Sequence, residues 1–364
     1  MQSDLFYKIA ITLFNGVGPV TIKKLVAHIG GVEAVFKEAK SNLKKLKVPE
    51  VLLNQENIKT AFEKAEKEIE FISAKKIEPL FYLDSAYPKR LKHCEDGPIL
   101  LYYKGNANLN TQRIISVVGT RKASLYGKEF CEKFISDLKE TGVMIVSGLA
   151  YGIDICAHKA ALNEGLKTVG VVAHGLNRIY PSDHRSVAVK MIEQGGLLTD
   201  FCSSDKFHPG NFPSRNRIIA GISDATVVIE TDVKGGAVIT ADIANSYNRD
   251  VFAVPGSVYE KYSAGCNWLI KTNRAALIQS AQDLMNTLNW KTEKSKQPIQ
   301  HKLLLDLNEE ETKIANLLKQ TFSVGIDDIS IASDMPLSKV TTLLLEMEFK
   351  GIIKALPGKH YKLV

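Results

Sequence analysis

From about residue 112 the chain alternates short β-branched runs with amphipathic stretches, and this alternation limits the possible folds more than any other feature. The runs are Ile114 to Val118, Val143 to Val146, Thr168 to Val172, Ala225 to Ile229 and Val251 to Val254. A strand that is apolar at nearly every position is buried on both faces, unlike the alternating strands of a half-wetted antiparallel sheet. Helices between such strands must supply the cover, so the segment predicts a doubly wound parallel α/β core. The more irregular stretch Gly97 to Lys104 is expected to add an edge strand.

All strand C-termini of a parallel sheet reach one edge, where loops and helix N-termini offer free N–H groups to ligands. Four of the five runs lead into glycine-bearing loops there: Val118-Gly119-Thr120-Arg121, Ser147-Gly148 through Gly152-Ile153-Asp154, Ala173-His174-Gly175, and Lys234-Gly235-Gly236 through Thr240. Small residues, hydroxyls and backbone donors on one edge suit phosphate. None of these loops is a GxGxxG or a Walker A sequence, so neither a dinucleotide nor a nucleoside triphosphate is expected, and no cofactor is assigned.

The segment Asn211 to Gly221, NFPSRNRIIAG, places two arginines around an asparagine just before an apolar helix, with Phe212 upstream. Arginines at a helix start can fork onto phosphates, and a phenylalanine beside them can stack on an unpaired base. The same residues also fit a structural role, with Phe212 in the core and the arginines paired to Asp200 or Asp224. His158, among alanines and with no ligand at metal spacing, reads as a packed or capping histidine. Asp154, just after Gly152, reads as an N-cap rather than a catalytic acid.

On either side of this core the patterns change. Residues 1–78 read as a helical module in which Leu5, Phe6, Ile9 and Leu13 keep helical spacing up to Asn15-Gly16-Val17-Gly18-Pro19. A second helix follows, with Pro19 in its first turn and Gly30-Gly31 past its end. Helix, Gly-x-Gly hairpin and helix resemble a helix-hairpin-helix, which holds a DNA phosphate; equally, the glycines can serve only the turn of a packing module. The expected α/β domain spans 79–290, a polar linker 291–302, and a winged-helix-like unit 303–364, with three helices and a two-stranded wing. Its third helix, SKVTTLLLEMEFKG, carries Lys339 and Lys350 against two glutamates, which favours a protein partner over DNA.

Charge points to the middle of the chain. The total is +7; residues 1–78 contribute +3 and residues 303–364 contribute −2, leaving +6 between them. The N-terminal stretch lacks the features of a secretory signal, and no apolar run approaches the roughly 20 residues of a membrane helix. Five cysteines without a CxxC pair fit a reducing compartment, so a cytoplasmic protein with no membrane partner, buried thiols and no zinc site is expected.

Several motifs then occur in a set order: VVGTRKASLYG, VSGLAYGIDICAHKAAL, GLNRIYPSDH, NFPSRNRIIAG, the glycine loop ending in ITA, and VFAVPGS followed by GCNWLI. Over residues 80–280 this order resembles the DprA/Smf family. The resemblance implies a Rossmann-like domain that binds single-stranded DNA in a basic pocket, homodimerisation, protection of incoming DNA, and loading of the RecA recombinase during natural transformation. It implies no enzyme activity, no catalytic residue and no metal. By position, Arg121 would follow the first strand, with Phe212, Arg215 and Arg217 on the pocket floor. Some relatives carry a lysine where this chain has Pro209, so that role either passes to Lys206 or is lost, and either His184 or Arg185 is expected to take the basic place after Tyr180-Pro181. The full candidate DNA-binding set is Arg121, Lys122, Ser147, Gly148, Arg185, Lys206, Asn211, Phe212, Arg215, Asn216, Arg217, Lys234, Gly235, Gly236 and Thr240.

The rival reading is a nucleotide-acting hydrolase related to nucleoside-monophosphate phosphoribohydrolases, whose pattern is GGxGTxxE. Gly235 and Gly236 match its start, but Val238, Ile239 and Asp242 stand where it has glycine, threonine and glutamate. A shortened carboxylate and β-branched side chains in the phosphate loop disfavour that chemistry.

Overall fold

A computed structural model describes residues 4–14, 16–46, 48–290, 307–319, 323–356 and 359–363. They fall into two compact units, residues 1–292 and 293–364. The expected linker 291–302 lies outside the described residues.

The first unit is built on a nine-stranded sheet: β1 (Glu78–Phe81), β2 (Leu100–Gly105), β3 (Ile114–Gly119), β4 (Met144–Ser147), β5 (Thr168–Val171), β6 (Gly195–Thr199), β7 (Ala225–Ile229), β8 (Asp250–Ala253) and β9 (Ala276–Leu277). Their order is β1-β2-β6-β5-β4-β3-β7-β8-β9. The seven strands from β6 to β9 in that order are parallel, and β2 pairs antiparallel with both β6 and β1. All five β-branched runs are strands of the parallel block, and β4, β5 and β7 are buried along their whole length, as two-sided helical cover requires.

The edge assignment needs correction. Gly97 to Lys104 does contain a strand, but β1 closes the sheet outside it. Pro79 explains both the concealment and the placement of β1, because proline lacks a ladder donor and is tolerated at an edge. Strand β6 was hidden by its first two residues. The Tyr103 ring lies where a Cβ on Gly196 would project, and the Tyr103 hydroxyl donates to the Gly195 carbonyl at 2.7 Å. Glycine here permits close approach instead of marking a loop.

Helices Asp4–Ala10, Pro19–Ile29 and Gln55–Lys75 stand before the sheet. Gly18 precedes Pro19, and Gly30 ends that helix at a φ of 98°, as the proline–glycine asymmetry predicts. Their apolar faces, including Phe6, Ile9, Ile22, Ala65 and Ile72, share one core with Phe81, Leu100 and Tyr102 of β1 and β2. The helical segment is thereby anchored to the antiparallel end of the sheet.

In the second unit, helices Glu309–Lys319, Ile326–Ser333 and Leu337–Phe349 enclose Ile314, Leu318, Ile329, Val340, Leu344 and Met347. Strands β10 (Val324–Gly325), β11 (Ile353–Leu356) and β12 (His360–Leu363) form an antiparallel sheet in the order β10-β12-β11, one strand more than the expected wing. Asn308 and Glu311 cap the first helix reciprocally: the Glu311 N–H donates to Asn308 Oδ1 at 2.8 Å, and the Asn308 N–H to Glu311 Oε2 at 2.9 Å. Both lysines of the third helix are held by that first helix. Lys339 pairs with Glu310, and Lys350 Nζ lies 2.7 Å from Glu311 Oε1.

Candidate nucleic-acid interface

Sequential strands run outward from β3 through β4 and β5 to β6, and then from β7 to β8 and β9 on the other side. The reversal leaves a crevice above the carboxyl ends of β3 and β7, the usual ligand position in open α/β sheets. A cleft of about 700 Å³ opens there. One wall is the turn Gly119-Thr120-Arg121-Lys122 after β3, and another is the N-terminus of the helix Gly236–Ser246 after β7. Its N-cap, Gly235, has no side chain to satisfy the first N–H groups; the Val238 N–H donates to the Gly235 carbonyl at 3.0 Å, and those of Gly236 and Ala237 are left to an anion.

The helix Asn211–Ile222 supplies the floor. It begins at Asn211, not after Arg217, so both arginines lie inside it. Successive residues turn by about 100°, which places Phe212, Arg215, Asn216 and Ile219 on one face and Arg217 on the other. The first four line the cleft. Arg217 points away from it: one Nη donates to the Asp96 carbonyl, and the other lies 2.8 Å from Asp200 Oδ2. The expected convergence of Arg217 on the pocket is therefore overturned, and its role is the ion pair with Asp200.

Arg121 and Phe212 do meet, with the guanidinium carbon 5.3 Å from the ring centroid, within cation–π range. Below them Arg215 is only 4% exposed. Its Nη1 donates to the Val171 carbonyl, while its Nε has no partner among the described residues. Burial lowers its pKa to about 10 despite the nearby Asp154 carboxylate, and burial likewise raises that of Asp154 despite Arg215. Asp154 is not the N-cap, which is Gly152. Its Oδ2 accepts instead from the N–H groups of Gly148, at 3.2 Å, and Ala150, at 3.4 Å. A Cβ on Gly148 would collide with both the Arg215 guanidinium and Asp154. Gly148 thus makes room for the arginine rather than lining the cleft.

The remaining candidates divide. Lys122, Gly235, Gly236 and Thr240 line the cleft. Lys234 is exposed on the turn before them. Ser147 is fully buried, and its hydroxyl donates to the Val117 carbonyl at 2.6 Å, so it presents nothing to a ligand. Asn211 braces the floor helix by donating to the carbonyls of Ala173 and Lys206. Arg185, at the start of the helix Arg185–Gln194, and Lys206 are exposed but stand outside the lining. The sequence reading missed Tyr180, Phe207 and Tyr262, which line the cleft from three separate loops. His158 is fully buried with Nδ1 2.7 Å from Thr168 Oγ1, the packed role expected of it.

The anion position of a dinucleotide-binding fold, the N-terminus of the helix after β3, is already filled. In this chain that helix is Leu125–Asp137. The Glu230 carboxylate, at the end of β7, accepts the Ser124 N–H at 2.8 Å and the Ser124 hydroxyl. Asp242, the counterpart of the hydrolase glutamate, lies 3.0 Å from Arg274 and does not line the cleft. Among the described residues no three metal-ligating side chains come together, and no helix is long and apolar enough to cross a membrane.

Comparison with known proteins follows the same division of the chain. The family model described as DNA recombination-mediator protein A matches residues 78–289, and a DprA winged helix domain model matches 300–359. Protein Smf of Escherichia coli K12 is 35% identical over 286 residues, covering 76% of this chain and 75% of that protein. The DNA processing protein DprA of Streptococcus pneumoniae R6 is 41% identical over 206 residues, covering 56% and 71%. An X-ray structure of DprA from S. pneumoniae superposes with a TM-score of 0.66 at 31% identity, over 78% of this chain and 98% of that one. DNA processing protein A from Helicobacter pylori, whose structure is described as giving insight into a unique single-stranded DNA binding mode, superposes with a TM-score of 0.53 at 28% identity, over 59% and 96%.

Proposed function

The chain belongs to the DprA/Smf family, and on that premise we propose that it is a single-stranded DNA-binding protein whose strand lies in the cleft above β3 and β7. The observation that carries this reading is the stack of Arg121 on Phe212 over the buried Arg215, beside an uncapped helix N-terminus. A guanidinium and a helix N-terminus take phosphates, and an aromatic face takes a base that no complementary strand covers. Within this reading Lys122, Lys234, Gly235, Gly236 and Thr240 border the strand, while Arg185 and Lys206 act only on segments that extend past the cleft. No residue acts as a catalyst; binding is the function.

Family membership supports the wider role: the protein binds DNA as a homodimer in the cytoplasm, protects the incoming strand and loads RecA during natural transformation. Five buried, unpaired cysteines are consistent with a reducing compartment. Titration of single- and double-stranded oligonucleotides across a range of salt tests the central claim. Single strands should bind more tightly, with affinity falling steeply as salt rises. Equal affinity for duplex at every salt concentration overturns it.

A further inference from the structure

Between β6 and the floor helix Asn211–Ile222 the chain crosses residues 200–210, and Phe207 and Pro209 of this span line the cleft. Lys206 to Gly210 are exposed throughout, so this part of the wall is held chiefly through its two ends. At the far end Asn211 donates to the carbonyls of Lys206 and Ala173. The near end is held by a residue of the helical segment that precedes the sheet.

Glu68, on the helix Gln55–Lys75, is only 3% exposed. Its two carboxylate oxygens share the Ser203 N–H, each at 3.0 Å, and Oε2 also accepts the Ser203 hydroxyl. The Ser203 carbonyl accepts from Asn177 Nδ2 at 2.9 Å. No cation pairs with Glu68 among the described residues, and its charged neighbour, Asp205, has the same sign. Burial raises the pKa of Glu68, and the Ser203 hydrogen bonds partly offset the rise. A carboxylate buried without a counterion costs free energy that a packing role does not require, since an apolar side chain would fill the same space. What it supplies is direction: accepting both donors of one residue fixes the backbone of that residue together with its side chain. The same device recurs just past the Arg121-Lys122 turn, where Glu230 accepts the N–H and the hydroxyl of Ser124.

We propose that Glu68 is a positioning residue of the single-strand site: through Ser203 the helical segment fixes the wall that carries Phe207 and Pro209. This rests on the single-strand reading and adds a part of the chain to it, because no described residue of the helical segment lines the cleft. Releasing Ser203 frees one end of an exposed span and leaves every cleft-lining side chain in place. The loss then falls on the ordering that a bound strand requires, since a wall that is loose before binding must be ordered during it.

The test titrates oligo-dT against Glu68→Ala, Glu68→Gln, Ser203→Ala and Phe6→Ala in the intact chain, with urea unfolding of each to establish that it is folded. Glu68→Ala should weaken binding by about fivefold, within the range for a residue that acts on a site through its neighbours. Its salt slope should stay parental, because no phosphate contact is lost, and amide exchange of residues 204–210 should speed up in the free protein. Glu68→Gln should recover most of the affinity, since its carbonyl can accept the Ser203 N–H and its amide can donate to the hydroxyl. Phe6→Ala removes a ring packed on Phe62 in the same helical segment, 4.8 Å between centroids, and should lower stability with parental affinity. Parental affinity in folded Glu68→Ala, no recovery in Glu68→Gln, or an equal loss in Phe6→Ala overturns the positioning role while single-strand binding by the parent stands. If Glu68→Ala does not fold, Ser203→Ala decides: a smaller loss with faster exchange supports the role, and parental affinity overturns it. If the parent binds no single strand at all, the proposed function fails, and this inference with it.

Discussion

The guanidinium of Arg121 rests 5.3 Å above the ring of Phe212, joining the turn after β3 to a helix about ninety residues further along the chain. Neither group acts independently. Replacing Arg121 or Phe212 by alanine should weaken single-strand binding by ~1–3 kcal/mol each, the range for a charge-assisted hydrogen bond or a stacked base. The double variant should lose less than the sum, because each single change already breaks the shared contact. Arg121→Ala should also reduce the salt slope by about one counterion, and Phe212→Ala should leave it unchanged. Strict additivity in fluorescence anisotropy titrations would show that the contact does not couple the two residues.

Arg217 should behave differently from its neighbour Arg215. Its ion pair with Asp200 is largely buried, with 17% and 11% of the two side chains exposed. Arg217→Ala leaves that carboxylate unpaired and should destabilise the fold by about 3 kcal/mol, near the low end for a broken buried pair. Urea unfolding measures this directly, and the folded fraction should keep parental affinity for single strands. Lost affinity without lost stability would return Arg217 to the binding site.

Acid should weaken the fold through His158. Burial pushes its pKa down to about 3 from the ordinary histidine value of 6.5, so below pH 6.5 the unfolded chain takes up a proton that the folded chain refuses. The stability is fully present above pH 6.5 and falls by ~1.4 kcal/mol per pH unit toward pH 3. Asp154 and Asp200, raised by burial, bind protons more readily when folded and oppose this trend. The stability difference between parent and His158→Gln removes their shared contribution. It should narrow as pH falls from about 7.5 to about 4.5, and parallel stability curves would refute the assignment.

Removal of residues 303–364 should preserve most single-strand affinity. That segment carries a net charge of −2, and both lysines of its third helix are held by Glu310 and Glu311. Loss of binding by a truncated chain that still unfolds cooperatively would place DNA contacts in the winged helix.

The parallel block was legible because burial on both faces leaves an unbroken apolar run, which β3, β4, β5, β7 and β8 all display. β1 and β6 were not, since Pro79 and Gly195-Gly196 are read locally as breakers while the ladder treats one as an edge residue and the others as points of close approach. In the site, Arg121 and Phe212 followed from loop position and motif. Arg217 is misplaced when both arginines are set just before the apolar helix or at its start; the helix begins at Asn211, with Pro213 at home in its first turn. Counting the helical period from Phe212 would have separated Arg215 from Arg217. Tyr180 and Phe207 were beyond such counting: they lie on different loops, and only the sheet brings those loops together.

The carboxylate of Glu230 at the N-terminus of the helix Leu125–Asp137 acts as a permanent internal tenant. A nicotinamide or flavin dinucleotide docks its pyrophosphate at that position in folds of this kind, and here it would have to evict a charge that the helix dipole already favours. A dinucleotide pyrophosphate brought to this edge of the sheet would meet a helix N-terminus whose place is already taken by the chain's own carboxylate.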